Sequence, residues 1–464
     1  MQRPVGMLVA AALACTVPVA ARADASTDIA QIRQQIEQMK KEYEARIDAL
    51  EKRLAAAEAE AGKAQQQAGQ AQQQAGQAQT EARSAAQQQR ANAFNPAVSL
   101  VLQGRYANLS QDPNTYRIGG FIPSGQDVGP DKRGFSLAES ELFFKANADP
   151  YVSGTLIASL APDGGVDVEN GYLETLALSH GWTLKAGRFF SKIGYLNEQH
   201  QHAWDFIDAP LPYRAFLGGQ LGDDGVQAKW VAPTDLLVEL GGEAGRGRNF
   251  PGSDRNKNGA SLGTLFGHVG GDVGVENSWR AGVSYLETSP DNRSYEDGVT
   301  NAFTGHSRLW LADAVWKWAP NGDPTRRNFK LQGEYFRRRE SGTLTYDTTG
   351  IALPGDYASN QSGWYAQAVY QFMPRWRVGA RYDRLSPGSV TIGQVESGAL
   401  TASDFPLLQS YTPTLQTAMI DYSPSEFSLF RLQFARDKSR PDVADDQIFL
   451  QYILSLGAHP AHTW

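Results

Sequence analysis

The chain predicts an all-β membrane barrel of about 16 antiparallel strands, preceded by an α-helical coiled coil. Three observations carry this. From Ala97 onward apolar residues recur with period two over some sixteen runs. The links between those runs alternate between short turns and long segments. Before Ala97 the period is seven instead, in near-literal repeats.

Residues 1–23 carry Arg3, an apolar run from Val5 to Ala14 and on to Ala21, and the small-residue site Ala21-Arg22-Ala23. This is the pattern of a secretory signal peptide cleaved after Ala23. The single cysteine, Cys15, lies inside it, so the mature chain has no thiol to pair; acylation of Cys15 is the competing reading.

Residues 24–92 read as a periplasmic coiled coil and linker. Ile29, Ile32, Ile36, Met39 and Tyr43 keep 3-4 spacing, and Ile47, Leu50, Leu54 and Ala57 resume it after one four-residue stutter. AGKAQQQ, AGQAQQQ and AGQAQTE follow, with alanine at both seam positions. Small alanine knobs bury little area per layer, so the Ile and Leu layers supply most of the stability. Gly62, Gly69 and Gly76 weaken the helix by about 1 kcal/mol each relative to alanine. A loose Gln/Ala-rich linker is the alternative.

Residues 93–464 form the predicted barrel. Alternating runs fall near 97–107, 136–148, 151–161, 168–178, 181–193, 224–232, 234–245, 263–273, 276–287, 307–318, 329–340, 362–372, 375–385, 411–422, 426–437 and 446–456. Long segments (108–135, 194–223, 246–262, 288–306, 341–361, 386–410) alternate with turns such as Met373-Pro374 and Ser423-Pro424; only the third-to-fourth link is short where a long one is expected. An even count puts both ends of the barrel on the short-turn rim, where the stalk begins. Forty-six glycines, 10 Trp, 18 Tyr and 20 Phe fit this class, as do aromatic faces such as Trp310/Trp316/Trp318, Trp364/Tyr370/Phe372 and Phe430/Phe434. The last run, Ile448 to Leu456, should present a lipid-facing row and close on Val98, Leu100 and Leu102. The chain ends on an aromatic, Trp464. The net charge of −7 shows no basic surplus of the kind nucleic acid attracts.

The segment NGYLETLALSHGWTLKAGRFFSKIGYLNE, with its Gly187-Arg188-Phe189 core, and the C-terminal IFLQYILSLGAHPAHTW resemble the phosphate-selective porin O and P family. The resemblance spans most of residues 97–464. It implies a passive outer-membrane diffusion channel, a homotrimer, with anions such as phosphate as solutes. One departure matters. In FSLAESELFFKANADP, Glu139 and Glu141 stand where the family resemblance leads one to expect arginines, which reverses the local potential.

Inward residues follow from strand parity. Arg375, Arg377, Arg381 and Asp383 share one face, and Lys330, Glu334, Arg338, Arg431, Lys185, Glu139 and Glu141 are further pore-lining candidates. The long segment after the fifth strand carries Trp204, Phe206, Tyr213 and Phe216 to pin it to a wall, and Glu198, Asp205, Asp208 and Arg214 to face a water path. A basic wall opposite an acidic loop would set up a transverse field; structural ion pairing is the plainer reading. His200 and His202, with Glu198 and Asp205 nearby, could hold a divalent metal, and His459 with His462 could form a second pair. DRNKNG at 254–259 lacks the glutamate an EF-hand needs, since Leu265 stands there.

The reading is therefore an outer-membrane porin for small hydrophilic solutes with a modest anion preference. Divalent-cation uptake and a plugged barrel anchoring a stalk near the cell wall are the alternatives. The expected partners are the outer-membrane bilayer and two further copies of the chain. No cofactor and no enzymatic activity are expected, because no Ser-centred motif has suitable partners.

Overall fold

The computed structural model describes residues 33–34, 36–41, 44, 46–49, 51–52, 55 and 96–457, save 126–127, 131 and 162–163. The chain divides into two units, residues 1–90 and 91–464. In the first, the described residues between 33 and 55 are helical, with Lys52 reaching Asp48 one turn back at 2.9 Å. Ile36, Met39 and Ile47 of the seam are exposed in the single chain, and the short helix does not by itself support the expected coiled coil. The signal-peptide expectation, the alanine-seam repeats, His459, His462 and Trp464 lie outside the described residues.

The second unit is a closed antiparallel barrel. Its strands are β1 (Ala97–Leu109), β2 (Gly134–Asn147), β3 (Val152–Leu160), β4 (Val166–Thr175), β5 (Trp182–Phe190), β6 (Gly222–Val231), β7 (Leu237–Gly245), β8 (Leu262–Val273), β9 (Asn277–Thr288), β10 (Arg293–Glu296), β11 (Thr300–Trp318), β12 (Asn328–Tyr346), β13 (Leu353–Met373), β14 (Trp376–Ile392), β15 (Thr414–Ser425), β16 (Ser428–Lys438) and β17 (Asp445–Gly457). The short β10 pairs with the start of β11, while β9 pairs with the rest of β11, which leaves sixteen strands in the wall. β17 closes on β1 with Leu456 opposite Leu100 and Leu454 opposite Leu102, the seam the alternation predicts. No helix among the described residues is long and apolar enough to cross a membrane, which says nothing of strands.

All sixteen predicted runs are strands, but β11 to β14 are longer than their alternation shows, at 19, 19, 21 and 17 residues. They rise into stretches read as loops at 288–306, 341–361 and 386–410. The cause is compositional. The outward positions of the added pieces, such as Thr304, His306, Ser341, Thr343 and Asn360, are polar, so no outward hydrophobic row marks them. They are held by a satellite core of Ile122, Tyr295, Phe303, Leu344, Tyr357, Phe405 and Leu408.

The wall inverts the polarity of a soluble sheet. Leu156, Leu184, Leu240, Leu265, Trp310, Trp364, Phe430 and Leu450 are exposed on the outside, whereas Gln103, Glu141, Gln227, Arg338, Asp383, Asp421 and Gln433 are buried inside. Rings from neighbouring strands meet on the outer face: Tyr285 with Trp310 at 4.7 Å, Trp376 with Tyr422 at 4.7 Å, and Phe430 with Tyr452 at 4.6 Å. Such cross-strand pairs help fix the register.

Candidate functional site: the filled bore

The link between β5 and β6, residues 191–221, lies inside the barrel. It turns in at Gly194, whose φ of 68° favours glycine and where a Cβ would collide with Glu334 Oε2. A short helix, Leu211–Leu217, follows Pro210 and ends on Gly218 in the left-handed conformation; all seven of its residues are buried. Tyr213 meets Phe336 edge-on at 5.1 Å, and Phe216 touches Phe336 and Phe121 at 6.1 and 5.7 Å. Leu286, Leu309, Leu311, Leu385 and Leu415 of the wall complete this layer with Ile193, Leu196 and Leu217. The waist of the bore is thus packed with side chains at 0–4% exposure.

Polar anchors fix the segment to the wall. Glu334 on β12 accepts from Tyr195 N at 3.3 Å and Leu196 N at 3.1 Å, from Tyr213 OH at 2.9 Å and from Tyr365 OH at 2.6 Å. Asp383 accepts from Leu211 N at the start of the helix, at 3.0 Å, where a carboxylate also suits the helix dipole. Asp205 pairs with Lys330 and with Arg377 at 3.4 Å. Asp208 pairs with Arg214 and with Arg381 at 2.7 Å, and accepts from Gln433 at 2.6 Å. Arg431 grips Asp421 at 2.8 and 3.1 Å and donates to the Trp204 carbonyl at 3.0 Å. Arg338 donates to Gln361 at 2.7 Å and to the Ala215 carbonyl at 3.4 Å, with Phe216 under its guanidinium at 5.1 Å. Burial pushes the Asp205 carboxyl up, but Lys330 and Arg377 hold it below the usual range. Arg381 and Arg214 do the same for Asp208.

Of the wall residues picked by parity, Lys330, Glu334, Arg338, Arg377, Arg381, Asp383 and Arg431 therefore meet the loop or its partners. The expected basic wall and acidic loop are both present, but they touch, with no water path between them at these pairs. Arg375 is a correction. It sits exposed in the two-residue turn after β13 at a φ of 72°, off the inward face. Lys185 does face inward, with its ammonium 4.6 Å from the Tyr172 ring, and Glu198 pairs with Lys192 at 2.7 Å.

A second cluster forms where the loop passes β2 and β4. The register of β1 on β2 shifts between Val101 and Gln103, so two β2 residues, Glu139 and Ser140, bulge opposite Leu102. Glu141 is thereby carried inward. Its two oxygens lie 3.1 Å from His200 Nδ1 and 2.8 Å from His202 Nδ1. Glu169 on β4 is 3.0 Å from the same His200 nitrogen, and the Glu139 carboxyl lies beside that of Glu169. The metal partners predicted for the histidines, Glu198 and Asp205, are elsewhere, bound to lysine and arginine. Glu169 was missed because it is itself the extra residue of a bulge in β4, between Val168 and Asn170 and opposite Ile157 and Ala158 of β3, which breaks the parity count. Asp254 of DRNKNG is paired with Arg246 at 2.6 Å.

Fold and site together define a sixteen-stranded antiparallel barrel whose bore is occupied by its own fifth-to-sixth-strand loop. The chain belongs to the family of an uncharacterized protein of Aquifex aeolicus, with which it is 30% identical over 407 residues, 80% of either chain. No family model matches it. Solved barrels also align: OprB of Pseudomonas putida at 13% identity and a TM-score of 0.49, over 80% of this chain and 96% of that one. The trimer form of OmpT, an outer membrane protein of Vibrio cholerae, gives 10% and 0.48 over 78% and 99%, and an anion-selective porin of Comamonas acidovorans 10% and 0.46 over 78% and 99%. The strand pairing, and not these scores, carries the fold.

Proposed function

We propose that the protein is an outer-membrane channel for small hydrophilic solutes, narrowed at its waist by residues 191–221. The observation that carries this is the reversed polarity of the barrel: an apolar outer belt around a bore lined with charged and amide side chains. Closed barrels of this kind are built for lipid, and a polar bore suits passage of water-soluble molecules. Anion preference, as for phosphate, is the finer reading. It rests on Lys185, Lys192 and Lys229, three ammonium groups that meet two carboxylates, Glu198 and Glu239, whereas Arg338, Arg381 and Arg431 are committed to the loop and its partners. A trimer is the assembly the family resemblance implies, and chemical cross-linking of the folded protein would count the copies.

The second reading, a plugged barrel serving as an anchor, is favoured by the packed layer around Phe216, Phe336 and Leu385. Planar-bilayer recording of the folded chain decides between them. Discrete conductance steps, with a reversal potential toward the anion value in a salt gradient, support the channel. Silence in the native chain, with large steps once residues 204–217 are replaced by a short Gly-Ser link, supports the plug.

A further inference from the structure

The Glu/His cluster inside the barrel has donors that neither reading uses. His200 Nδ1 faces Glu141 Oε2 at 3.1 Å and Glu169 Oε2 at 3.0 Å, and the three donor groups lie within 4.8 Å of one another. Metal–nitrogen and metal–oxygen bonds of about 2.0–2.2 Å set at tetrahedral or octahedral angles place adjacent donors about 3.0–3.4 Å apart. The spacing His200 keeps to both carboxylates is the spacing of ligands around one small cation. His202 Nδ1 holds the second oxygen of Glu141 at 2.8 Å, and its ring stacks on that of His200 at 5.9 Å.

Charge points the same way. Glu139, Glu141 and Glu169 bring three carboxyl groups together in the barrel interior against two imidazoles, an excess of acidic donors over basic ones. The cluster spans two wall strands and the loop, so an ion there would staple the loop to β2 and β4. His200 and Glu169 are partly exposed, at 19% and 12%, which leaves an entry route.

We propose that Glu141, Glu169 and His200, with His202 bridged through Glu141, form a binding site for a divalent first-row transition cation. Mixed imidazole and carboxylate donors select that class over Mg²⁺ or Ca²⁺, which take oxygen alone. Ligation through Nδ1 puts the ring proton on Nε2. That nitrogen lies 3.0 Å from Asn170 Nδ2, while Asn170 Oδ1 accepts from Phe190 N at 3.1 Å, so the amide must shift on metal binding for the ring to gain the acceptor that ligating histidines normally have. The site binds whether or not the barrel conducts, so its test needs no transport.

The full chain, folded in detergent micelles and stripped with a chelator, is titrated calorimetrically with Zn²⁺. One equivalent per chain is expected. E169Q and H200N should each weaken binding by at least tenfold, about the loss seen for second-shell changes or more. H180N, in the turn before β5, should leave it unchanged. Circular dichroism and gel mobility check that each variant keeps its barrel. X-ray absorption at the zinc edge of the native chain should show imidazole scattering, and this readout stands even where a variant fails to fold. No saturable binding, an oxygen-only shell, or equal affinity in folded E169Q and H200N overturns the proposal.

Discussion

Glu334 offers the sharpest test of how the loop is held. One carboxylate, 3% exposed, accepts from two backbone amides and two phenols. Replacing it with leucine keeps much of the shape and removes the acceptor from all four donors. A net hydrogen bond to a charged group contributes about 1.5–3 kcal/mol, but four bonds sharing one carboxylate do not add, and the leucine avoids burying a charge. A loss of about 3–5 kcal/mol follows, in line with breaking one side of a buried polar cluster. The assay is urea unfolding of the folded barrel, followed by tryptophan fluorescence and by loss of β circular dichroism. Trp204 in the loop is buried, so the leucine variant should also show red-shifted emission before any urea is added. A double cycle with Tyr213→Phe should give a coupling of about 0.5–3 kcal/mol. A folded Glu334→Leu barrel within about 1 kcal/mol of the native one, with unshifted emission, would refute the assignment of Glu334 as the anchor of the loop.

Other expectations follow from the same contacts. Phe216→Ala removes a fully buried ring from the waist and should cost about 3–5 kcal/mol, raising conductance in planar bilayers if the apolar layer sets the constriction. Leu450→Arg, on the outer face at 51% exposure, should destabilise the barrel in lipid by about 2–4 kcal/mol, while the same change at exposed Ile351 in the loop after β12 should have little effect; both are read by unfolding from liposomes. Asp205 and Asp208 have folded-state pKa values below the unfolded ones, so their contribution is complete above about pH 4 and is lost as pH falls through the folded values. Native protein should therefore weaken as pH falls below about 4, read by unfolding midpoint, and Asp205→Asn should flatten that slope. Asn170→Asp would give His200 Nε2–H a carboxylate acceptor and should tighten Zn²⁺ binding about tenfold, as read by calorimetry.

The strands were legible because the wall has an apolar outer and a largely polar inner face: Leu450, Tyr452 and Leu454 point out while Gln451 and Ile453 point in, and a slip of one residue would exchange the two faces. The loop was legible in kind, since Trp204, Phe206, Tyr213 and Phe216 amid four charges suit a segment with apolar anchors. Its partners were not. That Lys330 meets Asp205 across 125 residues of chain depends on the path the loop takes, and no local pattern records a path. Parity failed wherever the backbone departs from regular pleat. Arg375 looked inward by counting from Arg377 and lies in a turn instead, and the bulges in the β1–β2 and β3–β4 pairings hid the meeting of Glu141 with Glu169. The long rims of β11 to β14 were hidden for a different reason, because their outward face turns polar at Thr304, His306, Ser341 and Thr343.

The bore also changes what its charges mean. Read from sequence, Arg377 and Arg381 attract anions and Asp205 and Asp208 oppose them across water. In the folded chain each of these charges is already answered, by Asp421 and Asp205 for Arg377 and by Asp208 and Asp383 for Arg381, so little of their field is left for a solute. In the proposed channel the charges of the β2 to β7 side are the others available to a solute: Lys192 and Lys229 share Glu239, Lys192 also meets Glu198, and the Glu141 cluster lies nearby. A cation bound in that cluster would cancel its negative charge and leave the lysines dominant. The proposed metal site and the proposed anion preference are therefore linked: zinc added to a conducting barrel should move the reversal potential toward the anion value, and in H200N it should not.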